Sequence, residues 1–387
     1  MKSTPFVKMN LFQRKLYWCD FLRATLFVQA ALVLLASPML RNLAFFFAGR
    51  YVLNHLSSML TSIGVPYPIR LTVYAILVFT ALLLTMWYFQ EGILYQPSVP
   101  VGLGTTVHRP DENPEGMKNP SQQGLQYEEL SITASDGVKI SAWFIPSGAN
   151  SPALAPTIIF SHENAGNMGL RLDEFKRVHQ ETGANILLYD YRGYGNSDEV
   201  PIDETGIMKD ARAVWDWALS RGALDKSRLF LYGRSLGGAV AIQLACQLCK
   251  EQASVVPAGL IVGNTFTSIE RLVGKIYPFL NFEFVRQYML RLQWRSIEHI
   301  RHVTVPIMMI VGLKDEIVPA SHTPELKQAA INAVSVDVFT VADGMHNDTW
   351  LKAGPHYFER LQRFMTSASA RSERVDQNLL QGDKKAN

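Results

Sequence analysis

The apolar residues of this chain change their spacing near position 90. Before it they come in long unbroken runs; after it they come in short bursts separated by turn residues. Leu71–Phe89, LTVYAILVFTALLLTMWYF, holds no charge over nineteen residues. As a helix it would be about 28 Å long, close to the hydrocarbon thickness of a bilayer. Trp87 and Tyr88 stand at its end, where aromatic rings favour the headgroup level. This run predicts a transmembrane helix. Ala24–Leu40 is also free of charge and predicts a second span, with Leu43–Ala48 as a re-entrant or interfacial piece. The charged leader before Ala24 is long and no clean cleavage site follows, which argues against a signal peptide. Residues 1–91 therefore read as a membrane anchor.

Residues 92–126 are rich in proline and glycine and show little periodicity, which predicts an extended connector without a core of its own. Alternating runs at Glu128–Thr133 and Val138–Ile145, joined by Ser135-Asp136-Gly137, predict a β-hairpin. Apolar strands follow at Thr157–Ser161, Asn185–Asp190, Leu229–Tyr232, Gly259–Val262, Pro306–Val311 and Ser335–Val341. Helical segments alternate with them at Asn167–Gln180, Glu204–Leu219, after Gly237, at Pro324–Ile331 and at Pro355–Met365. An antiparallel start followed by strict strand–helix alternation predicts an α/β domain over 127–366, with a mostly parallel sheet and helices on both faces. Residues 367–387 are polar and read as a disordered tail.

Composition sharpens this only in places. Hydrophobic residues make up 48% and charged residues 18%, and the apolar excess lies in the first ninety positions. A net charge of +3 argues against a nucleic-acid partner. Cys246 and Cys249 lie three apart inside a predicted helix with no second ligand pair, so they read as core residues, and Cys19 stands alone. No metal site is expected.

The chemistry gathers at the ends of strands. Leu229–Tyr232 runs into Gly233-Arg234-Ser235-Leu236-Gly237, and a helix-forming stretch of small residues follows. This is the G-x-S-x-G elbow, in which glycines let strand and helix approach and a strained serine stands clear of both. A serine nucleophile needs a base, and the base needs an orienting acid. Asp315 follows the strand Pro306–Val311, and His346 follows Ser335–Val341. Both fall at the carboxyl edge of the predicted sheet, in the order nucleophile, acid, base. Glu316 is the rival for the acid; His302 and His356 are weaker rivals for the base. The oxyanion donors are expected to be the N–H groups of Leu236 and Asn164, the latter in the loop Ser161-His162-Glu163-Asn164-Ala165-Gly166-Asn167. Glu163 is unusual there, because a carboxylate beside a developing oxyanion opposes catalysis unless it points away or is paired. Residues 270–301 exceed a simple helix and mix aromatic with basic residues, which suits either a short cap admitting an apolar chain or an ordinary packed cap.

The elbow GRSLGGAVAIQLA, the loop HENAGN, the strand end YDYRGYGNSD and the runs NTFTSI, GLKDEIVP and GMHNDTW together resemble the membrane-anchored α/β hydrolases of the bud-emergence (Bem) type. The resemblance runs from about Phe89 to about Phe364. It implies an α/β-hydrolase fold with Ser235, Asp315 and His346 in the triad positions. Many members have glycine where this chain has Glu163; plant-like members are similar to it in having glutamate. The group is usually anchored by one span, whereas this chain carries extra apolar material before Arg70.

Together these features predict an integral-membrane serine hydrolase acting on an acyl ester or thioester, its substrate a small molecule, a lipid or an acylated protein. No cofactor is required. A peptidase of the same fold and a silent membrane scaffold are the alternatives. Basic residues crowd the N-terminus and put it on the cytosolic side. Two spans then return the catalytic domain to the cytosol. The chain's single N-x-S/T sequon, Asn347-Asp348-Thr349, begins one residue after His346, where a glycan would obstruct the site. That favours the cytosolic placement.

Overall fold

The computed structural model describes residues 49–51, 54–55, 57–100, 105–148, 154–276, 283 and 290–386. The expected span at Ala24–Leu40, the piece at Leu43–Ala48 and Cys19 lie outside the described residues. The chain divides into two compact units, Met1–Thr85 and Met86–Asn387.

Helix α1 runs over Tyr67–Leu94, longer at both ends than the apolar run Leu71–Phe89. Its residues Tyr67–Thr85 have a mean hydropathy of 1.8 and are long and apolar enough to cross a membrane. Leu71, Ile76, Phe79, Leu82 and Leu84 are all exposed. The residues after α1, expected to form an extended connector, hold local structure. Val99–Pro100 (β1) pairs with Thr106–Val107 (β2), and short turns cover Pro110–Glu112 and Pro120–Gln123. Their anchor is an amide pair. Asn113 Nδ2 donates to Asn167 Oδ1 at 2.7 Å, and Asn167 Nδ2 returns the bond to Asn113 Oδ1 at 3.0 Å.

The second unit is built on eight strands: β3 (Glu128–Thr133), β4 (Lys139–Ile145), β5 (Thr157–Ser161), β6 (Asn185–Tyr189), β7 (Leu229–Arg234), β8 (Gly259–Gly263), β9 (Ile307–Gly312) and β10 (Val336–Val341). Their spatial order is β10-β9-β8-β7-β5-β6-β4-β3. Pairing is antiparallel for β3–β4 and β4–β6 and parallel for the others. The hairpin turns where Gly137 takes φ 86°, a conformation open to glycine. Alternation along the strands sends Ile158, Phe160, Phe230 and Tyr232 to one face and Ile159, Leu229, Leu231 and Val262 to the other. The first face is covered by α2 (Leu172–Thr182) through Phe175 and Val178. The second is covered by α3 (Glu204–Ser220) and α4 (Leu236–Lys250) through Val214, Trp215 and Val240. Asp203 caps α3 by accepting the Gly206 N–H at 2.7 Å.

After β8 come α5 (Ile269–Ile276) and α6 (Ser296–His299), and after β9 comes α7 (His322–Ala329). Past β10 the chain closes with α8 (Thr349–Ala353) and α9 (Pro355–Ala386). The disordered tail expected from Ser367 is therefore corrected: α9 runs on through it. Tyr357, Phe358, Leu361, Phe364, Met365 and Ala368 continue one buried stripe at helical spacing, so burial extends the helix past the polar boundary.

Candidate active site

Register places the carboxyl ends of the parallel strands side by side. Ser161 pairs with Gly233, Arg234 with Gly263, Gly263 with Ile310, and Gly312 with Val341. Every residue expected to act follows one of these ends.

Ser235 has φ 54° and ψ −119°, outside the usual regions for a side-chain-bearing residue. Its neighbours explain how the turn is tolerated. A Cβ on Gly233 would overlap the Gly237 carbonyl, and one on Gly237 would overlap the Ser161 carbonyl. The strained serine is held by the Gly263 carbonyl, which accepts its N–H at 2.9 Å, and by Thr265 Oγ1, which donates to its carbonyl at 2.7 Å. Leu236 opens α4, so its N–H is one that the helix itself cannot satisfy.

Asp315 and His346 meet. His346 Nδ1 lies 2.8 Å from Asp315 Oδ2 and 3.0 Å from Oδ1, with both side chains almost fully buried. The carboxylate is itself fixed, because Oδ1 accepts the N–H groups of Ile317 at 2.9 Å and Val318 at 2.7 Å. Glu316 does something different: its Oε2 accepts the main-chain N–H of His346 at 3.1 Å. The two adjacent acids thus hold one histidine by its ring and by its backbone. Of the other histidines weighed as bases, His356 is exposed beside Glu359, and His302, at the end of a short turn, is exposed too.

The loop after β5 resolves the oddity of Glu163. The residue is 3% exposed and paired on both sides. Arg234, the variable residue of the elbow, reaches its Oε1, and Arg171 Nε lies 2.6 Å from its Oε2. Arg234 Nη1 also meets Glu174 Oε2 at 2.6 Å, and Tyr357 donates to Glu174 Oε1 at 3.2 Å. Burial pushes the Glu163 carboxyl up, but Arg171 and Arg234 outweigh it and leave the pKa lowered to about 2. For Glu174 burial prevails over Arg234 and raises the pKa. The carboxylate is thereby neutralised by two guanidinium groups. Asn164 follows it; its carbonyl accepts from Gln96 N–H at 2.9 Å and from the Tyr194 hydroxyl at 2.8 Å.

Asn264 opens the run NTFTSI, for which the sequence suggested no role. It sits at φ 44°, which asparagine tolerates better than most residues. Its Nδ2 donates to the carbonyls of Met345 at 3.0 Å and His346 at 2.8 Å, and its Oδ1 accepts the Gly312 N–H at 2.9 Å. It therefore joins the ends of β8, β9 and β10. Its position just past a strand end was the available signal. Arg234 and Arg171 were also passed over, because their partner lies seventy-one residues from one and eight from the other.

Of the cap residues, Tyr277, Phe279, Phe282, Phe284, Arg286 and Tyr288 lie outside the described residues. Four of the described cations are paired: Arg271 and Lys275 with Glu325, Arg291 with Glu91, and Arg295 with Glu298. Trp294 is fully buried at φ 39°, donating from Nε1 to the Tyr95 hydroxyl at 3.1 Å.

Comparison with known proteins agrees with this architecture. A family model described as Hydrolase_4, serine aminopeptidase S33, matches residues 157–296. The chain is 35% identical over 299 residues to α/β hydrolase domain-containing protein WAV2 of Arabidopsis thaliana, covering 74% of this chain and 91% of that protein. It is 31% identical to the uncharacterized membrane protein YNL320W of Saccharomyces cerevisiae, covering 73% and 90%. Protein bem46 of Schizosaccharomyces pombe matches at 28%, covering 72% and 87%. Among solved structures, the esterase Pf2001 of Pyrococcus furiosus superimposes with a TM-score of 0.52 at 19% identity, covering 64% of this chain and 95% of that one. That likeness is one of fold. The elbow, the sheet order and relatives matched over nearly their whole length lead to one conclusion: this chain belongs to the α/β hydrolases, in the family of WAV2 and bem46.

Proposed function

We propose that the protein is a membrane-anchored serine hydrolase that cleaves an acyl ester or thioester, with Ser235 as nucleophile, His346 as base and Asp315 as its orienting acid. The observation that carries this reading is the buried hydrogen bond from His346 Nδ1 to Asp315, on the same sheet edge as the strained Ser235. The carboxylate keeps the Nδ1–H tautomer, leaving Nε2 to take the serine proton. Ser235 Oγ then bonds to the acyl carbon, and the negative charge passes to the carbonyl oxygen. The N–H groups of Leu236 and Asn164 receive that charge. The imidazolium returns the proton to the leaving alcohol or thiol as the bond breaks. Water, activated by the same histidine, releases the acid and restores Ser235. Each step uses only side chains, main-chain N–H groups and water.

The family model's description as a serine aminopeptidase favours a second reading, a peptidase using the same residues. Anchoring is supported by the apolar helix Tyr67–Thr85 and by the yeast relative described as a membrane protein. The catalytic domain is proposed to face the cytosol. The test is labelling of membranes holding the full chain with a fluorophosphonate probe, wild type against Ser235→Ala. Turnover of acyl esters, thioesters and peptides is then measured. Labelling that survives Ser235→Ala would remove Ser235 as nucleophile, and hydrolysis confined to peptides would select the second reading.

A further inference from the structure

The residues that leave α1 run directly onto the loop that carries Asn164. Gln96 N–H donates to the Asn164 carbonyl at 2.9 Å, and Gly166 N–H donates to the Gln96 carbonyl at 2.9 Å. Gln96 and Ala165 form an isolated parallel bridge. Asn164 Nδ2 adds a third bond, to the Leu94 carbonyl at 2.8 Å. A segment from outside the sheet therefore holds the loop at two residues.

These bonds restrain the residue that carries one N–H of the site. A trans peptide is planar, so its N–H points opposite to its carbonyl. The N–H of Asn164 shares a peptide with the Glu163 carbonyl, which lies 2.6 Å from His162 Nδ1. Burial lowers the His162 pKa to about 3, so the ring is neutral and donates from Nδ1 to this carbonyl. The next peptide is held through the Asn164 carbonyl by Gln96 and Tyr194. With both of its flanking peptides held, Asn164 has little freedom to turn its N–H. The hydrogen bonds of His162 and Tyr194 belong to the α/β domain itself; those of Leu94 and Gln96 come from the end of α1.

The same end of α1 is docked from its other side. The Arg291 main-chain N–H donates to Gln90 Oε1 at 2.8 Å. Its guanidinium donates to the carbonyls of Trp87 at 3.1 Å and Tyr88 at 3.3 Å and to Glu91 Oε2 at 2.6 Å. It lies over the Trp87 ring, 4.7 Å from the centroid. Tyr95 inserts into the main core and receives the Trp294 indole N–H. Residues 87–96 are thus clasped by residues 291–294 and in turn clasp the loop.

We propose that Leu94–Gln96 is a positioning segment of the oxyanion hole, so that turnover depends on docking of the end of α1. This rests on reading Asn164 as an oxyanion donor. The reach of the effect is limited to the transition state, where the donor meets a full negative charge.

The experiment uses the full chain in detergent micelles with p-nitrophenyl butyrate as probe. Asn164→Ala and Asn164→Asp keep the N–H but remove the bond to Leu94. Gln96→Pro removes the donor to the Asn164 carbonyl. Arg291→Ala loosens the docking from the far side. Complete loss of an oxyanion donor costs about 10²–10³ in kcat. A misaimed donor is expected to cost about tenfold to a hundredfold for the Asn164 variants and Gln96→Pro, and about fivefold for Arg291→Ala, with KM within about twofold. A merely structural role would lower the melting temperature and leave kcat of the folded fraction intact. If Gln96→Pro fails to fold, the Asn164 variants and Arg291→Ala carry the test. Wild-type kcat in those three, or a loss expressed through KM, overturns the inference. Absence of Ser235-dependent hydrolysis in the wild type would instead overturn the functional reading, and this inference with it.

Discussion

Arg234 and Glu163 form a buried ion pair, and each is the residue immediately before a member of the proposed site, Ser235 and Asn164 respectively. The pair thus cross-links the nucleophile elbow to the oxyanion loop from beneath. Removing one partner of a buried pair leaves an uncompensated charge and costs about 3–5 kcal/mol. Glu163→Gln is therefore expected to destabilise the protein by about 3 kcal/mol, and Arg234→Met by a similar amount or more, since it leaves Glu174 without a cation and Glu163 with Arg171 alone. The Glu163 pKa is lowered, so the stability it contributes is present above the ordinary glutamate range and is lost as pH falls toward about 2. Denaturant unfolding of each variant measures this; unchanged stability in Glu163→Gln would show the pair to be dispensable.

Asp315 and Glu316 grip different parts of His346, and their substitutions should separate accordingly. Asp315→Asn replaces the acceptor of the ring N–H and favours the wrong tautomer, for which losses of roughly 10⁴ in kcat are expected. Glu316→Gln keeps an acceptor for the His346 backbone N–H and should lose less than about tenfold. Steady-state kinetics with an acyl ester decides, and the reverse ranking would make Glu316 the acid.

Asp190 is fully buried, and burial raises its pKa from 3.8 to about 7. Its Oδ1 accepts the Met168 N–H at 2.6 Å and lies 3.8 Å from His162 Nε2. The native state therefore keeps a proton that the unfolded chain releases. The stabilisation is full below the unfolded value and is lost as pH rises through about 7. Between roughly pH 5 and pH 8 the wild type should lose stability that Asp190→Asn, which has no proton to release, does not lose. Melting curves of both proteins at the two pH values test this; parallel pH dependence would contradict it.

Asn347 is exposed beside the buried His346. With the domain facing the cytosol, this sequon stays unmodified. In sealed microsomes the domain should be digested by added protease without detergent, and glycosidase should cause no mass shift. Carbonate washing should leave the chain in the pellet. A glycosidase-sensitive shift lost in Asn347→Gln, or protection from protease, would put the domain in the lumen.

The chain's own residues were enough to announce most of its elements and to single out a candidate triad. The hairpin at Ser135–Gly137, the strands read as Thr157–Ser161, Leu229–Tyr232 and Gly259–Val262, and the polar turns that carry Ser235, Asp315 and His346 are local or periodic signals. Each depends on residues a few positions apart, and a strand's carboxyl end is legible wherever an apolar run meets a polar turn. Partnerships between distant residues were not legible. Glu163 looked like a liability because Arg234 and Arg171 become its neighbours only when β5, β7 and α2 pack together. Asn264 carried no legible role because Gly312 and His346 reach it from two later strand ends. The connector looked bare because its holdings are single polar bonds, such as Asn113 to Asn167 and Gln96 to Asn164, which leave no period in the sequence. Hydrophobic periodicity encodes which face of an element is buried, whereas the geometry of a polar site comes from contacts between elements, which exist only after the sheet has set their register.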